Sequence, residues 1–582
     1  MADSPRISPK AAALRALAQE AVPEVPLIRL DSRGVVLVYG RDETAVHAAA
    51  LLEDALDVTV LIRPPAVLGL LPRTEFPVAK GSIRAAKGYL GAFELIVDDF
   101  AVAASSGEGG VSFGPARDGA VSHCDIVLDL SGNVALFAAA ELRDGYLRAD
   151  PGSPGALSTA VSAARKLVGS FDKPQYITFT EHLCAHSRSR IIGCRRCLDL
   201  CPADAIAPAG DHVAVDPYVC AGCGQCAAAC PTGAAAYAVP PSDALMRQLR
   251  ALLLAYRDSG GKQPIVLFHD EAHGQSMLDA LSGAGGALPE NVLPLRVNEV
   301  TQVGLESLAA LFAYGASGAR VLLSAKPRHD TSGLSHTLEL AGTILAALGF
   351  EGERLSRIET DDPEELEVAL RAISPPPPVS SPSTFLPSGD KRAVLRFALR
   401  ELHRVAPMRP EIVSLPAGAP FGKVEVATGG CTLCLACVSA CPTGALADDP
   451  DRPVLRFSED ACVQCGLCKA TCPEKVITLE PRLSFGRASS EVLKEETPFC
   501  CIRCGKPFGV RSTIERVVAA LEGRHWMFKD APERLDLVRM CDDCRVAFVT
   551  EQEFDPHATP RAPVRTTDDY LRERESNKKT EG

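Results

Sequence analysis

The sequence predicts a multidomain chain of mixed class, in which α/β layers are joined to small α+β modules. Three observations predict it. At 582 residues the chain exceeds what one core usually fills, so about three to five domains are expected. Strand and helix signals alternate twice, over residues 34 to about 170 and again over 245–372. The 22 cysteines are bunched: eight lie between 184 and 230, eight between 431 and 472, five between 500 and 544, and Cys124 stands apart.

Composition narrows the class of function. The chain is 46% hydrophobic and 23% charged, which is that of a folded protein. A net charge of -12 argues against a nucleic-acid partner, whose phosphates would need an excess of Lys and Arg. The first thirty residues hold no apolar core of signal-peptide length and no twin arginine, so a cytoplasmic protein is expected. No apolar run approaches the roughly 18 to 20 residues of a membrane helix, and direct membrane insertion is not expected. Cytoplasmic thiols are kept reduced, which makes metal binding the explanation for the cysteines.

Taken in order, residues 1–175 read as a degenerate Rossmann-like α/β domain, with "GVVLVYG" and "VTVLIRP" as strands around the helical "DETAVHAAALLEDAL". After Gly40 the chain runs Arg41-Asp42-Glu43-Thr44-Ala45, so two of the three fingerprint glycines are missing. The second strand ends in Arg63-Pro64 without the acidic residue that would hold a ribose. No nucleotide is expected; bound flavin or NAD is the alternative. Residues 244–373 form a second, flavodoxin-like or Rossmann-like layer without cysteine. The Pro/Ser stretch 374–390 is expected to be an extended spacer, and the charged tail 561–582 to be disordered.

The cysteine spacing carries the chemistry. "CTLCLACVSACP" and "CVQCGLCKATCP" each match C-x2-C-x2-C-x3-C-P. In that pattern three thiolates hold one cube, while the fourth, turned away by the proline, ligates the cube of the other motif. Residues 391–485 are therefore read as a helix plus a dicluster ferredoxin module. Cluster three takes Cys431, Cys434, Cys437 and Cys472, and cluster four takes Cys462, Cys465, Cys468 and Cys441. Residues 176–243 form a matching module with one displacement. "CAGCGQCAAACP" is intact, but its partner should begin at position 191, which is Ile191. Cys184 can replace it, because closing a nine-residue loop adds little entropy. Cluster one is then Cys184, Cys194, Cys197 and Cys230, and cluster two is Cys220, Cys223, Cys226 and Cys201. A buried spectator thiol at Cys184 is the alternative. In residues 486–560, Cys501, Cys504, Cys541 and Cys544 form two C-x2-C knuckles of a zinc-ribbon-like domain, for one zinc ion or a rubredoxin-like iron.

The stretches "LCAHSRSRIIGCRRCLDLCP", "GAPFG", "CTLCLACVSACPTGAL", "CVQCGLCKATCPE" and "CCIRCGKPFG…MCDDCR" together resemble a family of large bacterial cytoplasmic 4Fe-4S, polyferredoxin-like proteins encoded beside formate dehydrogenase genes. The middle layer resembles the delta iron-sulfur subunit of methyl-viologen-reducing hydrogenase without its cysteines. The resemblance implies that Cys184 is a ligand and that the redox partner is a formate dehydrogenase. An iron-sulfur electron-transfer protein with four 4Fe-4S clusters is the expected function, more a non-catalytic subunit than an enzyme. The alternatives are an assembly or maturation factor for formate dehydrogenase, or a flavin-dependent reductase subunit related to heterodisulfide reductase.

Overall fold

A computed structural model of the chain describes residues 7–65, 74–105, 111–139, 142–486, 490–522, 532–551, 566–568 and 570–572. Most of the 561–582 tail lies outside these described residues.

The first α/β layer is a mixed eight-stranded sheet. Its central strand, Val35–Gly40, pairs in parallel with Asp57–Ile62 on one side and Ile126–Asp129 on the other. Alternate residues feed two cores, as a strand covered on both faces requires. Val36 and Val38 pack under the helices Glu43–Ala50 and Pro154–Ala164, while Leu37 and Tyr39 meet Phe93, Leu95 and Phe137. At Gly40 a Cβ would fall 2.6 Å from the Ala45 side chain, so this glycine lets helix and strand approach. Asp42 caps that helix and accepts the Thr44 N–H at 2.9 Å.

The second layer is a four-stranded parallel sheet in the order Val292–Arg296, Ile265–His269, Gly318–Leu323, Leu355–Glu359. Helix Leu305–Ala313 is buried along its whole length. One cover is helix Lys391–Val405, whose Val394, Leu395, Ala398, Leu399 and Leu402 form a helical stripe into the same core. That helix, grouped with the second module from sequence, is thus part of the middle core. Helix Pro9–Gln19 likewise leaves the first layer: Ala13 is buried in the middle core, and Lys10 Nζ donates to the carbonyls of Leu288 and Pro289.

Segment 374–390 contains no helix or strand, but it is a strap and not a free spacer. Its polar backbone finds partners on the middle layer. Ser383 N–H donates to Ala313 O at 2.7 Å, and Arg354 donates to Pro377 O at 2.9 Å. Val379 is buried, and the Phe385 ring lies 4.8 Å from that of Tyr314.

Two antiparallel ribbons and two short helices recur in each cysteine module. In the first, Ile177–Phe179 pairs with Ala235–Tyr237, and Ile206–Ala209 with His212–Val215, around helices Arg196–Leu200 and Gln225–Ala229. In the second, Gly422–Val426 pairs with Ile477–Ser484, and Leu446–Asp449 with Arg452–Ser458, around Ala436–Ser439 and Leu467–Thr471. The C-terminal part has a ribbon, Pro498–Cys500 with Pro507–Val510, followed by helices Arg511–Leu521 and Asp542–Glu551. Among the described residues no helix is long and apolar enough to cross a membrane.

Candidate metal centres

Three of the four ferredoxin motifs share one backbone trace. The residue before the second cysteine and the one after it are left-handed: Gly222 and Gly224 (φ 78° and 77°), Leu433 and Leu435 (51° and 58°), Gln464 and Gly466 (54° and 86°). Leucine and glutamine adopt this region at a cost, so the trace is imposed by what surrounds it. Such turns aim successive N–H groups into a common concavity suited to an anion. N–H groups also reach sulfur: Leu433 N lies 3.4 Å from Cys431 Sγ, and Ala205 N 3.3 Å from Cys201 Sγ. A short helix follows each trace and carries its first cysteine inward, so Cys226, Cys437 and Cys468 are buried.

The folded chain brings cysteines from separate motifs together. Cys431, Cys434, Cys437 and Cys472 line one small cavity. Cys441, Cys462, Cys465 and Cys468 line another. In the first module, burial pushes the Cys197 thiol up to about 12, and the thiols adding to that push are Cys194, Cys230 and Cys184. Burial raises Cys226 as well, reinforced by Cys223, Cys220 and Cys201. Cys223 and Cys437 are also pushed by burial to about 12. Thiolates crowded in apolar pockets need a cation beside them, and the iron of a cluster supplies that charge. The donor sets therefore fit the group.

Cys184 reaches Cys197 through a β-hairpin. Ser187 pairs with Ile192 and Arg188 with Ile191, and the ladder continues through Gly193 N–H to His186 O (2.7 Å) and Cys194 N–H to Ala185 O (3.0 Å). The intervening residues thus fold back on themselves and return the chain beside its start. His186, an alternative ligand if Cys184 were a spectator, is buried with Nδ1 3.0 Å from Cys194 O. His182 is exposed. The basic side chains nearby are largely engaged: Arg195 pairs with Asp199 at 3.2 Å, and Arg196 donates to Ala419 O at 3.1 Å.

Ligand atoms of Cys501, Cys504, Cys541 and Cys544 all lie within 4.8 Å of one another, a tetrahedral-sized set that could hold zinc or iron. Cys500 is exposed and outside this set. Cys124 is a core residue whose thiol burial raises to about 12. His269, His273 and His329 do not converge: His273 lies 3.7 Å from Asp361, His329 4.0 Å from Glu299, and His269 Nδ1 3.1 Å from Asp270 O. The sequence had no signal for one further feature, a cavity of about 930 Å³ between the first layer and the first module. Arg33, Lys87, Arg143, Asp204 and Asp216 are among its walls.

Both modules match described families. Residues 192–234 and 430–477 each match a 4Fe-4S dicluster domain, and Cys184 falls just outside the first match. The chain is also similar to the aliphatic sulfonate oxidoreductase, polyferredoxin-like subunit, of Pyrococcus furiosus. The two are 42% identical over 53 residues, which is 9% of this chain and 28% of that protein, so the shared part spans only about a quarter of the relative. The chain is an iron-sulfur protein with two 4Fe-4S dicluster domains.

Proposed function

We propose that the chain is an electron-transfer protein with four 4Fe-4S clusters, working in the cytoplasm as a subunit or carrier for a redox enzyme. The carrying observation is that two cavities are each walled by four cysteines drawn from both motifs of a module. Cluster one is held by Cys184, Cys194, Cys197 and Cys230, and cluster two by Cys220, Cys223, Cys226 and Cys201. Cluster three is held by Cys431, Cys434, Cys437 and Cys472, and cluster four by Cys462, Cys465, Cys468 and Cys441. When bound, each cluster takes up and releases one electron. The protein encloses the clusters in apolar pockets and aims N–H groups at their sulfurs, both of which set the potential. A zinc ion at Cys501, Cys504, Cys541 and Cys544 holds the C-terminal fold, with rubredoxin-like iron as the other occupant of that geometry.

The polyferredoxin-like oxidoreductase subunit that the chain resembles over 53 residues supports a redox-enzyme partner. The motif resemblance points to formate dehydrogenase in particular. The test is to reduce the purified protein anaerobically, add mature formate dehydrogenase with carbon dioxide, and follow the cluster absorbance. Reoxidation coupled to formate formation is expected. No transfer, together with a requirement for the protein only before the dehydrogenase acquires its cofactors, would replace this reading with that of an assembly factor. The cavity beside the first module favours a second reading, a flavin-dependent reductase subunit, which requires flavin to be released on denaturation.

A further inference from the structure

The two modules are separated by nearly two hundred residues of sequence, yet they touch at their cysteine loops. A Cβ on Gly193, the residue before Cys194, would fall 2.5 Å from Leu467 Cγ, and Leu467 stands between Cys465 and Cys468. The contact therefore joins the cluster-one hairpin to the helix that carries a cluster-four ligand.

Two further grips fix it. Arg196, beside Cys197, donates to Ala419 O at 3.1 Å, and Arg392 donates to the next carbonyl, Pro420 O, at 3.0 Å. These carbonyls belong to the "GAPFG" stretch, which has no cluster ligand of its own. At the start of helix Lys391–Val405, adjacent residues hold opposite modules. Lys391 Nζ donates to the carbonyls of Ala227 and Ala228 in the first module, while Arg392 donates to Cys462 O at 2.6 Å in the second.

Resting on the four-cluster reading, we propose that the 185–194 hairpin, Leu467, and the Lys391–Arg392 grip lock the modules edge to edge. The four cluster sites then form one conduit in the order two, one, four, three. Each step moves one electron from a reduced cluster to its oxidised neighbour. The first is reoxidised as the second is reduced, with a one-electron donor protein and an oxidoreductase at the two ends.

Pulsed EPR on the fully reduced, full-length protein reads which clusters couple. Three nearest-neighbour couplings are expected: two with one, one with four, and four with three. Couplings only in pairs within each module, in protein holding about sixteen irons, would overturn the conduit and leave the electron-transfer reading intact. An iron content of about half that value would instead undermine the four-cluster reading itself. In Gly193→Leu the wedge against Leu467 should remove the one-to-four coupling and keep the other two at unchanged iron content. Lys391→Met should weaken the same coupling from outside the cluster loops. Retention of that coupling in both variants would remove these residues from the junction.

Discussion

Cys184 and Cys462 occupy equivalent backbone positions in the two modules. Each closes a single helical turn, Glu181–Leu183 or Glu459–Ala461, and donates its N–H to the first carbonyl of that turn. Their dihedral angles are φ -70°, ψ 132° and φ -70°, ψ 128°. Cys462 is the first cysteine of an unbroken motif, so Cys184 presents its thiol as a first ligand would. The 185–194 hairpin is then an insertion between the first and second cysteines that leaves the first in place.

Cys184→Ser should leave the first site with three cysteine ligands. The cube should lose one iron and give a three-iron EPR signal in the oxidised protein that the wild type lacks. Serine keeps nearly the same volume while removing the soft thiolate, so packing is little disturbed. An oxidised spectrum identical to that of the wild type would remove Cys184 from the ligand set.

Anaerobically prepared protein should contain about sixteen irons and about one zinc per chain, read by elemental analysis. About seventeen irons and no zinc would assign rubredoxin-like iron to the Cys501 set. The small cores around it, Cys501 with Met540 and Cys541, and Ile514 with Val518 and Leu535, are too few to hold a domain alone. Stripping that metal should expose the region after 498 to limited proteolysis.

Much of this arrangement was legible, and the parts that were not share a cause. Cysteine spacing was legible because the C-x2-C-x2-C-x3-C-P pattern fixes which thiols fold into one neighbourhood, as in the two cysteine-lined cavities of the second module. The strand and helix alternation marked both layers for the same local reason. The hairpin carried no such mark: its turn residues, Ser189 and Arg190, are left-handed (φ 51° and 68°) where Asn-Gly would have advertised a turn. The apolar stripe of helix Lys391–Val405 announced one buried face, but a stripe does not name what it packs against. Proline and serine at 374–390 indicated the absence of regular structure and were silent on whether Arg354 and Ala313 would hold the segment down.

Tyr237→Phe should separate the middle layer from cluster two. The Tyr237 hydroxyl donates to Gly222 O at 2.5 Å, inside the loop between Cys220 and Cys223, and accepts from Asn298 at 2.8 Å. Its loss leaves the buried Gly222 carbonyl only the longer Asn298 donor at 3.5 Å, at about 1 kcal/mol. The expected result is a lower unfolding midpoint together with faster bleaching of one cluster in air. Unchanged bleaching would show that this bond serves packing alone.

Purified protein should release no stoichiometric flavin and show no saturable NAD(H) binding. The N–H at the first βα turn that a pyrophosphate would use is taken by Asp42, whose carboxylate would also repel the phosphates. Isothermal titration with NADH and absorbance of the denatured supernatant check this. Tight flavin in the supernatant would promote the reductase reading.

The stability that His329 lends the middle layer should fall as pH rises through its raised pKa. Burial alone would lower the His329 pKa, but it is outweighed by hydrogen bonding to the Glu299 carboxylate and the Asp330 carbonyl, and the net shift is upward. A folded state that binds the proton more tightly than the unfolded chain gains stability fully present below about 6.5 and lost as pH rises through the raised value. His329→Gln removes that dependence while keeping a side chain able to hydrogen-bond. Anaerobic unfolding midpoints should therefore converge for the two proteins at high pH and separate below neutrality, with wild type the more stable. Parallel curves across the whole range would show that His329 carries no charge beside Glu299.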